Sequence, residues 1–379
     1  MKVAGDWLSR PQTQAVCAAL TGAGYRALFV GGCVRNALLG LAVGDIDIAT
    51  DAPPETVSEL AEKAGLRAVP TGFDHGTVTV LSGGIPHEVT TFRRDVATDG
   101  RHATVAFGSL EDDAARRDFT MNALYATPEG AVIDPLGGLP DLSARRVRFV
   151  GDPAARIAED YLRILRFFRF HAIYADPGTG LDAEGLAACA AFSAGIETLS
   201  RERLGAEMRK LLAAPDPAPA VAAMQQAGVL HRVLPGADAR GLAVLVHLEA
   251  GLPPRWLRRL AVLGGADAGV ALRLSRAEAR DLGVVRDEIG AMRGAAALGY
   301  RLGEALAADI VLVRAALLES PPADGWQAAI LQGAQAVLPV TAADLMPGLQ
   351  GPALGARLRE IEDRWVASGF TLGRDQLLG

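Results

Sequence analysis

The chain has 379 residues, a formal net charge of −6 and a half share of hydrophobic residues. That length exceeds one ordinary core, so two or three domains are expected. No apolar run reaches the roughly 18–20 residues of a membrane helix and the opening segment lacks a signal-peptide core, which predicts a soluble, cytoplasmic protein with no membrane partner. The three cysteines, Cys17, Cys33 and Cys189, are odd in number and share no metal-ligand spacing, so they are expected as buried thiols rather than a disulfide framework or a zinc site.

In chain order, "ALFVGG" reads as a strand that ends in glycine, followed by a short helix over "CVRNALLG". Gly31 and Gly32 lie between them, where backbone N–H groups can face an anion, as a phosphate cradle or as an ordinary strand-to-helix turn. Neither GxGxxG nor GxxxxGK[ST] occurs, which excludes the dinucleotide and P-loop fingerprints.

"DIDIAT" alternates with period two, so Asp45 and Asp47 project to one face while Ile46 and Ile48 pack behind them. Two adjacent carboxylates repel unless a cation lies between them. Hard oxygen ligands suit Mg2+, and two such ions ~3.5–4 Å apart can hold the attacking and leaving oxygens of an in-line displacement. The competing reading is an acidic edge strand. Glu88 in "HEVTTFR" is the leading third carboxylate, with Asp95 and Asp74 behind it.

"PPETVSELAEKAG" carries prolines and Glu at its start and stops at Gly65, as a capped helix does. "GTVTVLSGG" and "HEVTTFRRD" are Val/Thr-rich segments that read as further strands of one mixed sheet. After Asp152 the chain becomes Ala/Leu/Arg-rich with helical spacing, broken at "PDPAPA" (215–220) and "ESPPADG" (319–325). The expected division is therefore a head over 1–150, a helical neck over 151–215, and a helical body and tail over 216–379.

In "DPAARIAEDYLRILRFFRFHAIY", Asp160 and Arg163 are three apart on a predicted helix, with Arg166 and Arg169 continuing their stripe. A surface ion pair is one reading. The other follows from hydrogen-bond inventory: a carboxylate accepts and a guanidinium donates. Cytosine and adenine both offer an amine donor beside a ring-nitrogen acceptor, whereas uracil and guanine present a carbonyl beside a ring N–H. An Asp/Arg pair would accept the first two and leave unpaired groups against the others.

Residues 201–280 hold twelve Arg/Lys against seven Asp/Glu, a local excess of five. Arg255, Arg258 and Arg259 are the expected RNA-phosphate contacts there, against the alternative of a solvated helix face.

The ordered motifs "GGCVRNALLG....GDIDI", "HEVTTFRRD", "RRDFTMNAL", "EDYLRILRFFRF" and "SRERLGAEMRKLL" resemble those of class II tRNA nucleotidyltransferases, the CCA-adding enzymes, and of the related bacterial poly(A) polymerases. The resemblance implies an α+β head, with the mixed sheet of polymerase-beta-like nucleotidyltransferases, followed by an all-α neck, body and tail. It also implies addition of CMP and AMP to the 3′ end of tRNA from CTP and ATP, with Asp45 and Asp47 binding two Mg2+ ions and Glu88 assisting. Gly31, Gly32 and Arg35 would hold the triphosphate. Arg116, Arg117, Asp118 and Asn122 would contact ribose and phosphates, and Asp160 with Arg163 would be the protein template, next to Arg166 and Arg169 on the nucleotide side. A mobile segment around Asp95 to Asp113 would share in specificity.

A poly(A) polymerase, or a partial enzyme adding only CC or only A, shares these motifs; a sequence pI near 5.6 leans toward the tRNA enzyme. A non-catalytic RNA-binding protein is the reading from another class, and the presence of both Asp45 and Asp47 argues against it. No histidine–aspartate pair of the phosphohydrolase type follows the head, so no phosphatase domain is expected. Oligomeric state has no sequence signal.

Overall fold

The computed structural model describes residues 1–72, 76–98, 103–176, 178–346 and 348–379, and only the backbone of 95–98 and 103–105. The chain forms two compact units, Met1–Arg203 with Gln226–Arg232, and Leu204–Gln225 with Val233–Gly379.

The strands of the first unit are β1 (Leu28–Val30), β2 (Ile46–Thr50), β3 (Arg67–Gly72), β4 (Thr77–Ser82), β5 (Ile85–Thr91), β6 (Arg93–Thr98), β7 (Ala103–Phe107), β8 (Tyr125–Ala126) and β9 (Val132–Ile133). Among the described residues, seven of them form one mixed sheet in the order β3-β4-β5-β2-β1-β8-β9, while β6 and β7 pair as a separate hairpin. The β2/β5 pair is parallel and the other pairs are antiparallel. The segment read as one strand, "HEVTTFRRD", is thus the end of β5 and the start of β6, separated at Phe92, whose side chain is buried.

The helices of this unit begin with α1 (Asp6–Ser9), α2 (Pro11–Thr21), α3 (Gly32–Leu38), α4 (Pro54–Lys63), α5 (Leu110–Ala115), α6 (Leu139–Ser143), α7 (Pro153–Glu159) and α8 (Leu162–Tyr174). Helix α4 starts on the expected proline pair and stops before Gly65, at φ 73°. Leu28, Val30, Ala49, Phe92, Leu110, Ala114 and Tyr125 form one core cluster beneath the sheet. Aromatic packing seats α8: Phe119 lies 5.0 Å from Phe149 and 4.8 Å from Phe170, and Phe149 stacks on Phe167 at 5.4 Å. Burying four such rings supplies several kcal/mol, by the usual ~25 cal/mol per Å² of apolar area.

The second unit is helical throughout its described secondary structure. Its helix Ala295–Leu317 kinks at Gly303 (φ 76°), and the two expected breaks fall between Leu212 and Ala218 and between Leu317 and Trp326. Val340, Ile361, Trp365 and Leu377 form a local core, with Trp365 packed against Tyr300 at 5.5 Å and Phe370 at 4.9 Å. Cys17, Cys33 and Cys189 are free and buried.

Candidate active site

Gly31 closes β1 with φ 70° and ψ −117°, a conformation that a side chain would strain, and its N–H donates to the Leu124 carbonyl. A Cβ there would come 3.4 Å from Arg117 Nη1, and one on Gly32 would come 3.9 Å from Arg35 Nη2. The glycine pair therefore opens a space flanked by two guanidiniums, which suits a polyanion. Because α3 is only seven residues long, the two side-chain cations are the stronger anion signal.

Asp47 lies on β2 directly opposite Glu88 on β5, and Asp45 immediately precedes the strand. Ile46 and Ile48 are buried behind them, as the alternation predicts. Burial, followed by Glu88 and then by Asp45, pushes the Asp47 carboxyl up to about 6 against the pull of Arg117. A divalent cation would reverse that effect, so the donor set fits a hard metal.

The expected three-carboxylate set does not close into a cage: among the described residues no three His, Cys, Asp or Glu side chains are placed to hold one ion. Asp45 and Glu88 are both exposed, and each acts on the half-buried Asp47. Magnesium is ordinarily held by one or two carboxylates plus substrate phosphates, a pattern that Asp45 and Asp47 satisfy without a third. The alternative third carboxylates lie outside the described residues, Asp74 entirely and Asp95 by its side chain.

Arg116 and Arg117 both pair with Asp113, at 3.0 and 2.8 Å, and Tyr125 Oη donates to the same carboxylate at 2.7 Å. Burial would raise Asp113, but Arg117, Arg116 and Tyr125 outweigh it and hold it below the usual carboxylate range. Asp113 is thus a paired, buried support on α5, with 1% of its side chain exposed. Sequence reading missed it; the signal was its i,i+3 and i,i+4 spacing to the two arginines. Asp118 accepts from Asn122 Nδ2 at 2.8 Å, from the Phe119 N–H at 2.9 Å and from Arg166 Nε at 2.8 Å. Arg169 is buried with its guanidinium 4.7 Å from the Phe170 ring centroid.

The single helix read across 152–174 is two helices that part at Asp160 and Tyr161. Asp160 is extended (φ −154°, ψ 105°), accepts from the Leu162 N–H at 3.0 Å, and pairs with Arg203 at 2.7 Å. Arg163 pairs instead with Glu159 at 2.6 Å and donates to the carbonyls of Arg156 and Arg116. Of the two readings, the Asp160–Arg163 surface ion pair does not form: the carboxylate partner of Arg163 is Glu159, a residue the sequence reading passed over. Three N–H groups of Arg163 are committed, leaving Nε–H and one on Nη2.

The RNA assignment in the second unit is also corrected. Arg258 and Arg259 are each 2% exposed and share Glu249, whose two oxygens accept from Arg258 Nε at 2.7 Å and Arg259 Nε at 2.9 Å. Arg259 further donates to the carbonyls of Leu212, Ala214 and Pro215. Arg255 reaches Asp309 at 3.2 Å. The guanidiniums of Arg258 and Arg259, so enclosed, cannot reach a phosphate and are no solvated face either, and full pairing is what permits their burial; Arg255 keeps 39% of its side chain exposed, so this exclusion does not extend to it.

The poly A polymerase head domain family matches residues 27–148, and the family described as the probable RNA and SrmB-binding site of polymerase A matches 180–240. The mitochondrial CCA tRNA nucleotidyltransferase 1 of Mus musculus is 33% identical over 92% of this chain and 84% of its own length. This chain belongs to the CCA-adding enzyme family. The CCA-adding enzyme of Bacillus pumilus is 46% identical over half of this chain, and the match spans 46% of that relative's length. The crystal structure of the Bacillus stearothermophilus CCA-adding enzyme in complex with CTP superposes with a TM-score of 0.72 at 30% identity, covering 95% of this chain and 94% of that one. The mixed-sheet head and helical remainder are the fold of the CCA-adding enzymes, and divalent-metal dependence is general to their nucleotidyltransferase chemistry.

Proposed function

We propose that this protein adds C, C and A to the 3′ end of tRNA, taking CMP and AMP from CTP and ATP and releasing pyrophosphate. The observation that carries the reading is the adjacency, within one sheet, of a carboxylate pair and a glycine turn flanked by Arg35 and Arg117. The relatives' names supply the acceptor: the Mus musculus protein is a CCA tRNA nucleotidyltransferase and the Bacillus stearothermophilus structure holds CTP.

Asp45 and Asp47 would hold two Mg2+ ions, which when bound supply charge neutralisation for the α-phosphate and a more acidic 3′-hydroxyl. Arg117 and Arg35 would hold the triphosphate at the glycine turn, with Arg116 beside them. Glu88, exposed next to Asp47, would take the proton of the attacking hydroxyl. The Asp118–Asn122 pair would orient the ribose. Asp160 and the two remaining N–H groups of Arg163 would read the base edge, accepting C and A.

Incubating the protein with tRNA that lacks CCA, Mg2+ and each labelled nucleotide in turn tests the reading. A ladder ending after C, C and A supports it. A long A-tail identifies a poly(A) polymerase, a ladder stopping at CC or requiring CC identifies a partial enzyme, and no product leaves an RNA-binding protein.

A further inference from the structure

Arg35 is 6% exposed, and its donors run in three directions: Nε and Nη2 donate to Asn36 Oδ1 at 3.1 and 2.8 Å, and the other two contacts lead to α8. Nη1 donates to Asn122 Oδ1 at 2.5 Å, and Asn122 in turn donates to Asp118, which accepts from Arg166 on α8. Nη2 donates to Tyr174 Oη at 2.6 Å, and the Arg35 guanidinium lies 4.0 Å from the Tyr174 ring centroid. Tyr174 is the last residue of α8, eight positions after Arg166. The chain of contacts is therefore closed: from α8 at Arg166, through Asp118, Asn122 and Arg35, back to α8 at Tyr174. Two turns of one helix are thus tied to a residue three positions after the glycine pair.

We propose that Tyr174 is a positioning residue for nucleotide binding: its hydroxyl and ring hold Arg35 in the orientation in which that guanidinium meets the triphosphate. This deepens the proposed function and rests on its assignment of Arg35 to the triphosphate. The hydroxyl and Asn36 Oδ1 together fix the direction of Nη2, and the ring face stabilises the charge in a site where burial works against it. Because Arg35 touches phosphate rather than base, Tyr174 acts equally on CTP and ATP and leaves the choice between bases alone.

The test compares the full-length protein with Tyr174→Phe and Tyr174→Leu. For Tyr174→Phe, KM for CTP and for ATP is expected to rise together by about fivefold, less than the roughly tenfold or greater effect of a directly lost hydrogen bond to a charged group because Asn36 and Asn122 still hold Arg35, with kcat within about twofold. Tyr174→Leu, which removes the ring as well, raises both further. CTP without tRNA should also raise the melting temperature of Tyr174→Phe less than that of the wild type, at matched CTP concentration.

An unchanged KM in a Tyr174→Phe protein with a lowered melting temperature would overturn the proposal and leave Tyr174 as packing. So would a change confined to one nucleotide, or a rise in UMP and GMP incorporation. The wild-type product ladder reports separately on the activity itself, so a protein that binds CTP but adds no CCA fails that reading and not this one. If Tyr174→Leu does not fold, Tyr174→Phe alone decides.

Discussion

Asp47 stands opposite Glu88 at the same position of the parallel β2/β5 pair, one carboxylate partly buried and the other exposed. Burial and the neighbouring Glu88 both disfavour the charged form of Asp47, and replacing Asp47 by a neutral residue relieves that strain while removing the proposed metal ligand. Asp47→Asn is expected to lower CMP incorporation at least 100-fold with no loss of melting temperature in metal-free buffer. Glu88→Gln is expected to lower kcat and leave KM for CTP unchanged. Primer extension at saturating Mg2+ with parallel thermal melts checks both, and more than a few per cent residual activity in Asp47→Asn would remove it from the metal site.

Asp160 lies in the gap between two helices, held by a backbone N–H and by Arg203. Asp160→Ala takes away the proposed base-edge acceptor without touching the carboxylate pair or the glycine turn. Discrimination against UTP and GTP is expected to fall by ~1–3 kcal/mol, the usual size of one good base contact. Measuring kcat/KM for all four triphosphates on one tRNA primer decides it: a preference for C and A that survives in Asp160→Ala rules out the template role.

Glu249 compensates two buried guanidiniums at once. Glu249→Gln leaves Arg259 without a carboxylate partner and Arg258 with only Asp309, at 3.7 Å, and is expected to cost about 3–5 kcal/mol in urea unfolding. Arg258→Ala with Arg259→Ala should likewise destabilise the protein. A folded double variant that bound tRNA with a shallower salt dependence than the wild type would return those arginines to the RNA surface.

Acid should erode the contribution of Asp118. Burial raises this carboxyl, but Arg166, Asn122 and the Phe119 N–H outweigh it and hold it below its ordinary value. The native pKa is therefore lower than the unfolded one, near 3.9, so the stabilisation is complete above the unfolded value and is lost as pH falls through the native one. The gap in unfolding free energy between the wild type and Asp118→Asn, about 2–3 kcal/mol, should stay constant from pH 6 to 8 and narrow below about pH 4. A gap that widened in acid would contradict the assignment.

The head was legible where the local pattern and the tertiary outcome agree. Val78, Val80 and Val89 alternate inward on β4 and β5, and the glycine pair sits at the turn that requires a positive φ. The two-residue strands β8 and β9 give no periodic signal. The break at Asp160 was hidden because apolar spacing runs on through it, while the contacts that stabilise the gap come from Arg203, 43 residues away. Arg258 and Arg259 misled for a related reason: a run of charge reads as surface, and the carbonyl partners of Arg259 lie 44 to 47 residues earlier in the chain. Tyr174 carries no motif and is reached only through the fold.

The tract from Leu212 to Pro217 has the composition of a spacer, yet Arg259 draws three of its carbonyls onto one guanidinium. It therefore behaves as a stitch. For protein engineering this reverses the natural choice of cut point: an inserted tag, a protease site or a pair of new termini at 213–216 would unpick a buried ionic cluster. The similarly proline-rich tract at 319–325 has no buried arginine fastened to it among the described contacts, and is the better place to open the chain.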